Sequence, residues 1–558
     1  MTPVPPCPRP AFAWMNDVSR QFLAKDYLLN GQSGEARVGV IAEAMGRRLK
    51  RPDLAAKLYD YASRGWYSFS SPVWSNYGLG RGFPISCFGT YVEDDTRSIL
   101  RAHVEVGMMS KHGGGTSVYL DPLRGRGSEI TDNGHTAGSV NLAKIYDCEI
   151  RVISQGSSRR GECAAYWKIT HPDILEVLTI RTQAAGPDLQ KLSYGLVVED
   201  WWIKDMIAGD LPKRELWAKV TQTRMKTGYP YLIFIDNANR QAPDVYRELG
   251  MRVNRSNLCT EIFLPDSETE SFVCCLSSMN DLYYDEWADT DAVEVMVYFL
   301  DTVMSEFIDK ARGEYGYDRA VRFAERHRAL GLGQLGWHSH LQSKMIPFDS
   351  LEANGLAATV SKRIQQEALT ASMKMAAEYG EPELLKGYGR RHTTLTAIAP
   401  TQSSSAIVGQ MSEGIEAQIA NFCVKDKQKV KYTYQNPFLL RLLAEKGQDT
   451  RAVIDSIFAN QGSVRHLDCL SPQEKAVFKT LREISPMAVV QQAAARQPYV
   501  CQGQSLNLLI DPAADVKQVN KVYLAAWELG LKSLYYQKNV SAAQELVHDL
   551  TACVACEG

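Results

Sequence analysis

The stretch Arg255–Ser256–Asn257–Leu258–Cys259–Thr260–Glu261–Ile262, near the middle of the 558-residue chain, decides how the rest is read. Its apolar flanks, Val253 and Ile262–Phe263–Leu264, suggest an extended segment. Alternate residues of an extended chain share a face. Asn257, Cys259 and Glu261 then point one way, and Leu258, Thr260 and Ile262 the other. A carboxamide, a thiol and a carboxylate converge on one small space. A single Asn-x-Cys-x-Glu is more often a buried structural cysteine beside two ordinary polar residues. The remainder of the chain outweighs that reading.

Composition narrows the field first. Hydrophobic residues make up 45% of the chain and charged residues 23%, which suits a large enzyme with an ample core. A net charge of −2 gives no reason to propose a nucleic-acid surface or a basic membrane patch. No apolar run reaches the length needed to span a bilayer, and the proline-rich Met1–Pro10 lacks the apolar core of a secretory signal. A cytoplasmic protein is expected, with no membrane and no nucleic-acid partner. Its 12 cysteines are then expected to be reduced, catalytic or metal-bound rather than stapled in a disulfide framework.

Outward from the central stretch, residues 1–70 carry helical spacing through Val38–Ile41–Met45–Leu49 and Leu54–Leu58–Tyr61, with Pro52 between the two patterns. Glycine-punctuated loops enter a strand at Ser86–Cys87–Phe88, a helix follows over Ile99–Met109, and Gly113–Gly114–Gly115 turns into a strand. The glycine triplet lacks the Lys-Ser/Thr ending of a phosphate-binding loop. Further on come a helix near Val140–Ile153, a loop at Thr182–Leu189, and a helix ending at Thr227–Gly228 before a strand at Tyr231–Ile235. After the central stretch a strand is expected at Phe272–Leu276, helix from Asp291, a strand–loop–helix at Leu395–Ile407, and charged, mainly helical sequence over 425–495. Strands at Leu506–Ile510 and Ser533–Tyr536 end the compact part, and 541–558 read as a helix fraying into a tail. Strand–helix alternation over this span argues for one large α/β barrel rather than several modules.

Five further features carry chemistry-bearing side chains. Cys87 follows Ser86 at a strand start. Cys274–Cys275 lies in the strand after the central stretch. Pro400–Thr401–Gln402–Ser403–Ser404–Ser405 sets a run of hydroxyls before a helical pattern, more than one N-cap needs, and such a run suits a phosphate. Tyr535–Tyr536 are adjacent aromatics that on a strand face opposite ways. The chain ends in Cys553–Val554–Ala555–Cys556–Glu557–Gly558. This cysteine pair could be half a zinc site, but no second pair of metal-like spacing lies nearby, and thiol–disulfide exchange suits it better. Cys7, Cys148, Cys163, Cys423, Cys469 and Cys501 read as structural.

Taken in order, Ile85–Ser86–Cys87, Ser256–Asn257–Leu258–Cys259–Thr260–Glu261–Ile262, Pro400–Thr401–Gln402–Ser403–Ser404–Ser405, Gln502–Gly503–Gln504–Ser505–Leu506–Asn507 and Leu531–Lys532–Ser533–Leu534–Tyr535–Tyr536–Gln537 resemble the catalytic large subunit of class I ribonucleotide reductase over residues 70–540. The resemblance implies a ten-stranded α/β barrel over 71–540, a short helical region at 1–70 and a redox-active tail at 541–558. It implies reduction of ribonucleoside diphosphates to 2′-deoxyribonucleoside diphosphates. Cys259 would carry a thiyl radical that abstracts the 3′ hydrogen, Glu261 would take the 3′-hydroxyl proton, and Asn257 would hold the ribose hydroxyls. Cys87 and Cys274 would supply two electrons and end as a disulfide; Cys274 is chosen over Cys275 because the family spacing to Leu276 and Asn280 fits it.

By the same resemblance, Cys553 and Cys556 would reduce that disulfide and be reset by a thioredoxin or glutaredoxin, although the family's tail pair is often more widely spaced. Tyr535 and Tyr536 would relay the radical from a metal-containing small subunit, this chain binding no metal itself. Pro400, Thr401, Gln402, Ser403, Ser404 and Ser405, with Ser71 and Ser86, would bind the substrate diphosphate. Asp94 and Arg124 fall where the family binds a nucleoside triphosphate effector, and Thr182–Leu189 at its specificity loop. The region before Ser70 is too short for the family's N-terminal nucleotide-binding cone, so no overall activity switch of that kind is expected. A homodimer is implied. A cobalamin-dependent class II reductase shares the barrel and the cysteine trio but needs no tyrosine relay; a non-catalytic nucleotide-binding relative would lack a cysteine or Glu261.

Overall fold

The computed structural model describes residues 9–29, 31–153, 160–427, 430–511 and 513–539. Its strands are β1 (Tyr67–Phe69), β2 (Cys87–Gly89), β3 (Gly115–Tyr119), β4 (Glu162–Lys168), β5 (Ser193–Val198), β6 (Tyr231–Phe234), β7 (Phe272–Asn280), β8 (Leu330–Leu335), β9 (Phe422–Lys427), β10 (Val430–Gln435), β11 (Leu508–Ile510), β12 (Ser533–Leu534) and β13 (Gln537–Asn539). β2 to β6 lie side by side in parallel order. β7 and β8 are parallel to each other, and the pairing continues through bridges from Leu332 to Thr396 and from Ile398 to Gln504, then from β11 to β13.

The two parallel runs meet antiparallel at both seams, β2 against β7 and β6 against β12. Ten chain segments therefore close a ring, two of them held by single bridges and flanking hydrogen bonds. This is the expected α/β barrel. The parallel strands are buried on both faces, as helix-covered parallel strands must be. β1 extends the sheet by pairing antiparallel with the far end of β7.

The N-terminal helices, Asp17–Asp26, Gly34–Leu49 and Pro52–Ser63, join the same apolar core as the barrel. Pro52 opens its helix in the first turn, where its missing N–H costs no hydrogen bond. Arg37 reaches from the second helix to the carbonyls of Val73, Trp74 and Tyr77, which ties this region to the segment leading into β2.

Two sequence expectations are corrected. The 425–495 region is not helical from its start. β9 and β10 form a hairpin there, with burial alternating along Val430–Gln435. Charged residues at alternate positions mark one wet face of a strand pair as readily as a helix surface. Leu439, Leu443 and Ile457 from the following helices build a second, smaller core against it. The second correction concerns the central stretch, which is not a strand. Residues 251–257 join no ladder, Leu258 and Cys259 form a turn, and Thr260 takes a left-handed φ of 64°.

That stretch crosses the interior of the barrel, where no neighbouring strand can pair with it. Arg255 and Asp266 close the crossing at its two ends through a 2.5 Å ion pair, with both side chains 1% exposed. Arg255 also donates to the carbonyl of Thr90 at 3.0 Å and lies over the Phe272 ring. Removing one member of such a pair leaves an uncompensated buried charge. Asp266→Ala is expected to lower stability by about 3–5 kcal/mol in chemical denaturation, with loss of activity at temperatures where the wild type is intact.

Candidate active site

A segment without a ladder must find partners for its backbone groups elsewhere. Inside the barrel these come from side chains. Tyr166 Oη donates to the carbonyl of Asn257, Ser505 Oγ to that of Cys259, and Ser533 Oγ to that of Thr260. Gly503 N–H donates to the carbonyl of Glu261 at 2.7 Å, and Gln502 Oε1 accepts from Phe263 N–H at 3.0 Å. A Cβ at Gly503 would come within 2.4 Å of the Phe263 ring, so this approach requires glycine.

Asn257 organises the turn. Its Oδ1 accepts from the N–H groups of Glu261 and Ile262, both at 3.1 Å, and this fixes which end of the amide is which. Its Nδ2 donates to Glu261 Oε1 at 3.0 Å and to Cys87 Sγ at 3.2 Å. Ser505 Oγ, whose one proton is shared with the Cys259 carbonyl, lies 3.0 Å from the other Glu261 oxygen. Asn257, Cys259 and Glu261 thus share one pocket, as the sequence reading expected. The cause differs. A tight turn with Thr260 left-handed brings them together, and Leu258 lines the pocket too, whereas strand alternation would have turned it away.

Cys87 and Cys274 stand directly opposite each other across the antiparallel seam of β2 and β7. Opposed residues in such a ladder have Cα atoms about 4.5–5.5 Å apart, within the span a disulfide needs. Both line the same pocket as Cys259. Gln502 Nε2 donates to Cys274 Sγ at 3.4 Å. Cys275, one residue on, points to the other face and donates to the carbonyl of Leu300. Burial pushes the Cys87 thiol well above its ordinary range, with the Glu261 charge adding to it, and pushes Cys274 up to about 12. Both thiols are therefore protonated at neutral pH. Burial also raises the Glu261 carboxyl from 4.5 to about 7.

Of the 400–405 run, Pro400 lines this pocket, and Thr401 and Ser404 line an adjoining one that shares Ser70, Leu276 and Ala399 with it. Thr401 does not cap the short helix Gln402–Ile407. Its φ is 54°, and its Oγ1 accepts from Gly414 N–H at 2.7 Å. Ser405 Oγ turns back to the Gln402 carbonyl, and Ser403 is buried. Ser86 lines the main pocket; Ser71 is buried between two lining residues, Ser70 and Pro72.

Tyr535 and Tyr536 fall between β12 and β13, outside the ladder, so the opposite-facing arrangement expected of a strand does not apply. Their rings pack at 4.2 Å. Tyr535 N–H donates to the carbonyl of Leu506, beside the Ser505 that holds Cys259. Asp94 and Arg124 form a 2.6 Å ion pair away from the pocket. Cys553 and Cys556 lie outside the described residues. Gln502 and Ser505 take roles that their own motif does not announce. Tyr166 and Asp266 carry no local signal, and Arg255, although inside the central stretch, has no role legible there. Among the described residues no group of three or more His, Cys, Asp or Glu is placed to hold a metal, and no helix is long and apolar enough to cross a membrane.

Residues 85–210, 204–385 and 382–537 match the ribonucleotide reductase barrel domain. The chain belongs to the ribonucleotide reductase family. Among similar proteins, a putative ribonucleoside-diphosphate reductase large subunit of Frog virus 3 is 37% identical over 91% of this chain and 93% of its own length. The ribonucleoside-diphosphate reductase large subunit of Invertebrate iridescent virus 3 is 33% identical over 90% and 92%. The solved class Id ribonucleotide reductase alpha subunit of Actinobacillus ureae superposes with a TM-score of 0.91 at 51% identity, covering 98% of this chain and all of that one.

The raised Glu261 carboxyl has a consequence for pH. The folded chain binds this proton at about 7 and the unfolded chain at its ordinary 4.5, so folding is favoured by this group in full below 4.5 and the contribution is lost as pH rises through 7. Glu261→Gln is expected to flatten the fall in stability between those two values, read by urea denaturation across pH.

Proposed function

We propose that this chain is the catalytic subunit of a class I ribonucleotide reductase, reducing ribonucleoside diphosphates to 2′-deoxyribonucleoside diphosphates. The observation that carries this reading is the directly opposed Cys87–Cys274 pair in the same pocket as Cys259 and Glu261. A thiyl radical on Cys259 abstracts the 3′ hydrogen of the bound ribose. Glu261, held close to neutrality by its burial, takes the 3′-hydroxyl proton, and Asn257 keeps carboxylate, thiol and sugar in line.

The 2′-hydroxyl leaves as water. Cys87 and Cys274 provide the two electrons and two protons that this requires and close as a disulfide, while Cys259 returns its hydrogen to the 3′ carbon. The balance is one nucleotide hydroxyl and two thiols converted to one C–H bond, one disulfide and one water. Protonated resting thiols suit this role, because the pair must deliver protons together with electrons.

Pro400, Thr401, Gln402, Ser403, Ser404 and Ser405, with Ser71 and Ser86, bind the diphosphate. Tyr535 and Tyr536 carry the radical to Cys259 from a metal-containing small subunit. Cys553 and Cys556 reduce the pocket disulfide by exchange and are reset by a thioredoxin or glutaredoxin. Asp94 and Arg124 contribute to a site for a nucleoside triphosphate effector. The chain works as a cytoplasmic homodimer, divided into a helical region at 1–70, a barrel at 71–540 and a redox tail at 541–558.

The purified chain, with dithiothreitol and a radical-generating small subunit, is expected to reduce ribonucleoside diphosphates, and Cys259→Ala to abolish the reaction. Turnover with adenosylcobalamin in place of the subunit would overturn the class assignment. Cys274→Ala is expected to abolish reduction from the first turnover, whereas Cys275→Ala retains it, since only the former faces the pocket. Mass spectrometry after one turnover should find the Cys87–Cys274 disulfide in the wild type. Glu261→Gln is expected to lower kcat by about 10²–10⁴-fold with the chain still folded.

A further inference from the structure

Besides Tyr535, the Tyr536 ring packs against Tyr231 and Tyr229. The Tyr229 hydroxyl donates to Tyr536 Oη at 2.9 Å, and the two rings meet edge to face at 5.1 Å. Tyr229 has little freedom to move. Gly228, just before it, ends the helix Leu211–Thr227 with a φ of 81°, and its carbonyl accepts from Gln537 N–H at 3.2 Å. A Cβ at Gly228 would lie 2.9 Å from the Gln537 carbonyl oxygen. Arg224 spans the same junction, donating to the carbonyls of Pro230 and Tyr535. The turn that carries Tyr229 and the segment that carries Tyr536 are therefore joined backbone to backbone.

The other side of Tyr229 faces Arg181. The guanidinium lies 4.6 Å over the Tyr229 ring, and Tyr194 stacks on that ring at 5.7 Å and 9°. Arg181 is also the closing residue of the 182–189 loop. Its N–H donates to the carbonyl of Leu189 at 3.2 Å, and its side chain to the carbonyls of Leu192 at 3.0 Å and Lys191 at 2.6 Å. A cation over a phenol ring draws electron density from it and makes its hydroxyl a stronger donor. Arg181 thus both shuts the loop and polarises the group that holds Tyr536.

We propose that Tyr229, braced by Arg181, is a positioning residue that fixes the Tyr536 phenol and couples the conformation of the 182–189 loop to it. The contacts run without a gap from the loop to the phenol oxygen, each through a side chain that has a second anchor. A loop change that shifts Arg181 alters the donor to Tyr536 with no movement of the barrel strands. The proposal rests on the reading of Tyr536 as a radical relay.

The test places 3-fluorotyrosine at position 536 and records its fluorine resonance beside turnover with the small subunit. Tyr229→Phe removes one hydroxyl and keeps the ring. It is expected to move the resonance and to lower kcat on the order of tenfold with KM unchanged, the scale of one lost hydrogen bond. Arg181→Gln is expected to act in the same direction and Arg181→Lys to restore most of the loss. Gln190→Ala, which removes loop bonds to the carbonyls of Thr182 and Gly186, is expected to move the resonance through Arg181.

An unmoved resonance or an unchanged kcat in Tyr229→Phe overturns the positioning role. A resonance that ignores Gln190→Ala overturns the coupling to the loop. Full turnover by Tyr536→Phe would instead defeat the relay reading, a result separate from the response of the resonance to Tyr229→Phe.

Discussion

The site depends on one amide. Asn257 uses both ends of its side chain, accepting from two backbone N–H groups of its own turn and donating to the Glu261 carboxylate and the Cys87 sulfur. The first pair of bonds shapes the turn that carries Cys259. The second pair ties that turn to the strand seam where Cys87 and Cys274 are opposed. Hydrogen bonds inside a closed barrel are not exchanged for water, so each partner is held in one place. One side chain thereby sets the relative positions of a thiol, a carboxylate and a dithiol pair.

The barrel is built to make that turn possible. A chain crossing the inside of a sheet has no ladder to satisfy it, and orphaned backbone groups would be costly. Hydroxyls from Tyr166, Ser505 and Ser533, together with Gln502 and the N–H of Gly503, supply what a neighbouring strand would have given. They come from widely separated parts of the sequence and meet only because the two parallel runs close at both seams. The Arg255–Asp266 pair then holds the entry and exit of the crossing together. Electrostatics follow from the same enclosure: loss of water raises the carboxyl of Glu261 and keeps both seam thiols protonated.

Much of the architecture was legible before any coordinates. Period-2 and period-3.6 patterns located most helices and strands, because those patterns are local. The hairpin at β9 and β10 is not legible in the sequence, because its charged outward positions resemble a helix surface over so short a run. The central stretch was read as a strand because Ile, Phe, Leu and Val flank it, yet buried irregular chain has the same apolar flanks. Its side chains still converge as expected, through a left-handed Thr260 that no residue preference announces.

Which residue types could do the chemistry, and the order in which they occur, can be read directly along the chain. A radical-based reduction is implied only by the resemblance that the Asn-x-Cys-x-Glu motif, the cysteines on either side, the hydroxyl run and the C-terminal motifs carry together. The tertiary structure supplies the physical reason for Cys274 over Cys275, a choice the resemblance already implied: neighbouring residues of a strand point to opposite faces, and the register of β2 on β7 sets Cys274 opposite Cys87. It also decided that Tyr229 lies against Tyr536, some 300 residues along the chain. Register, seam closure and cross-barrel contacts are long-range pairings, and a local pattern carries no record of them.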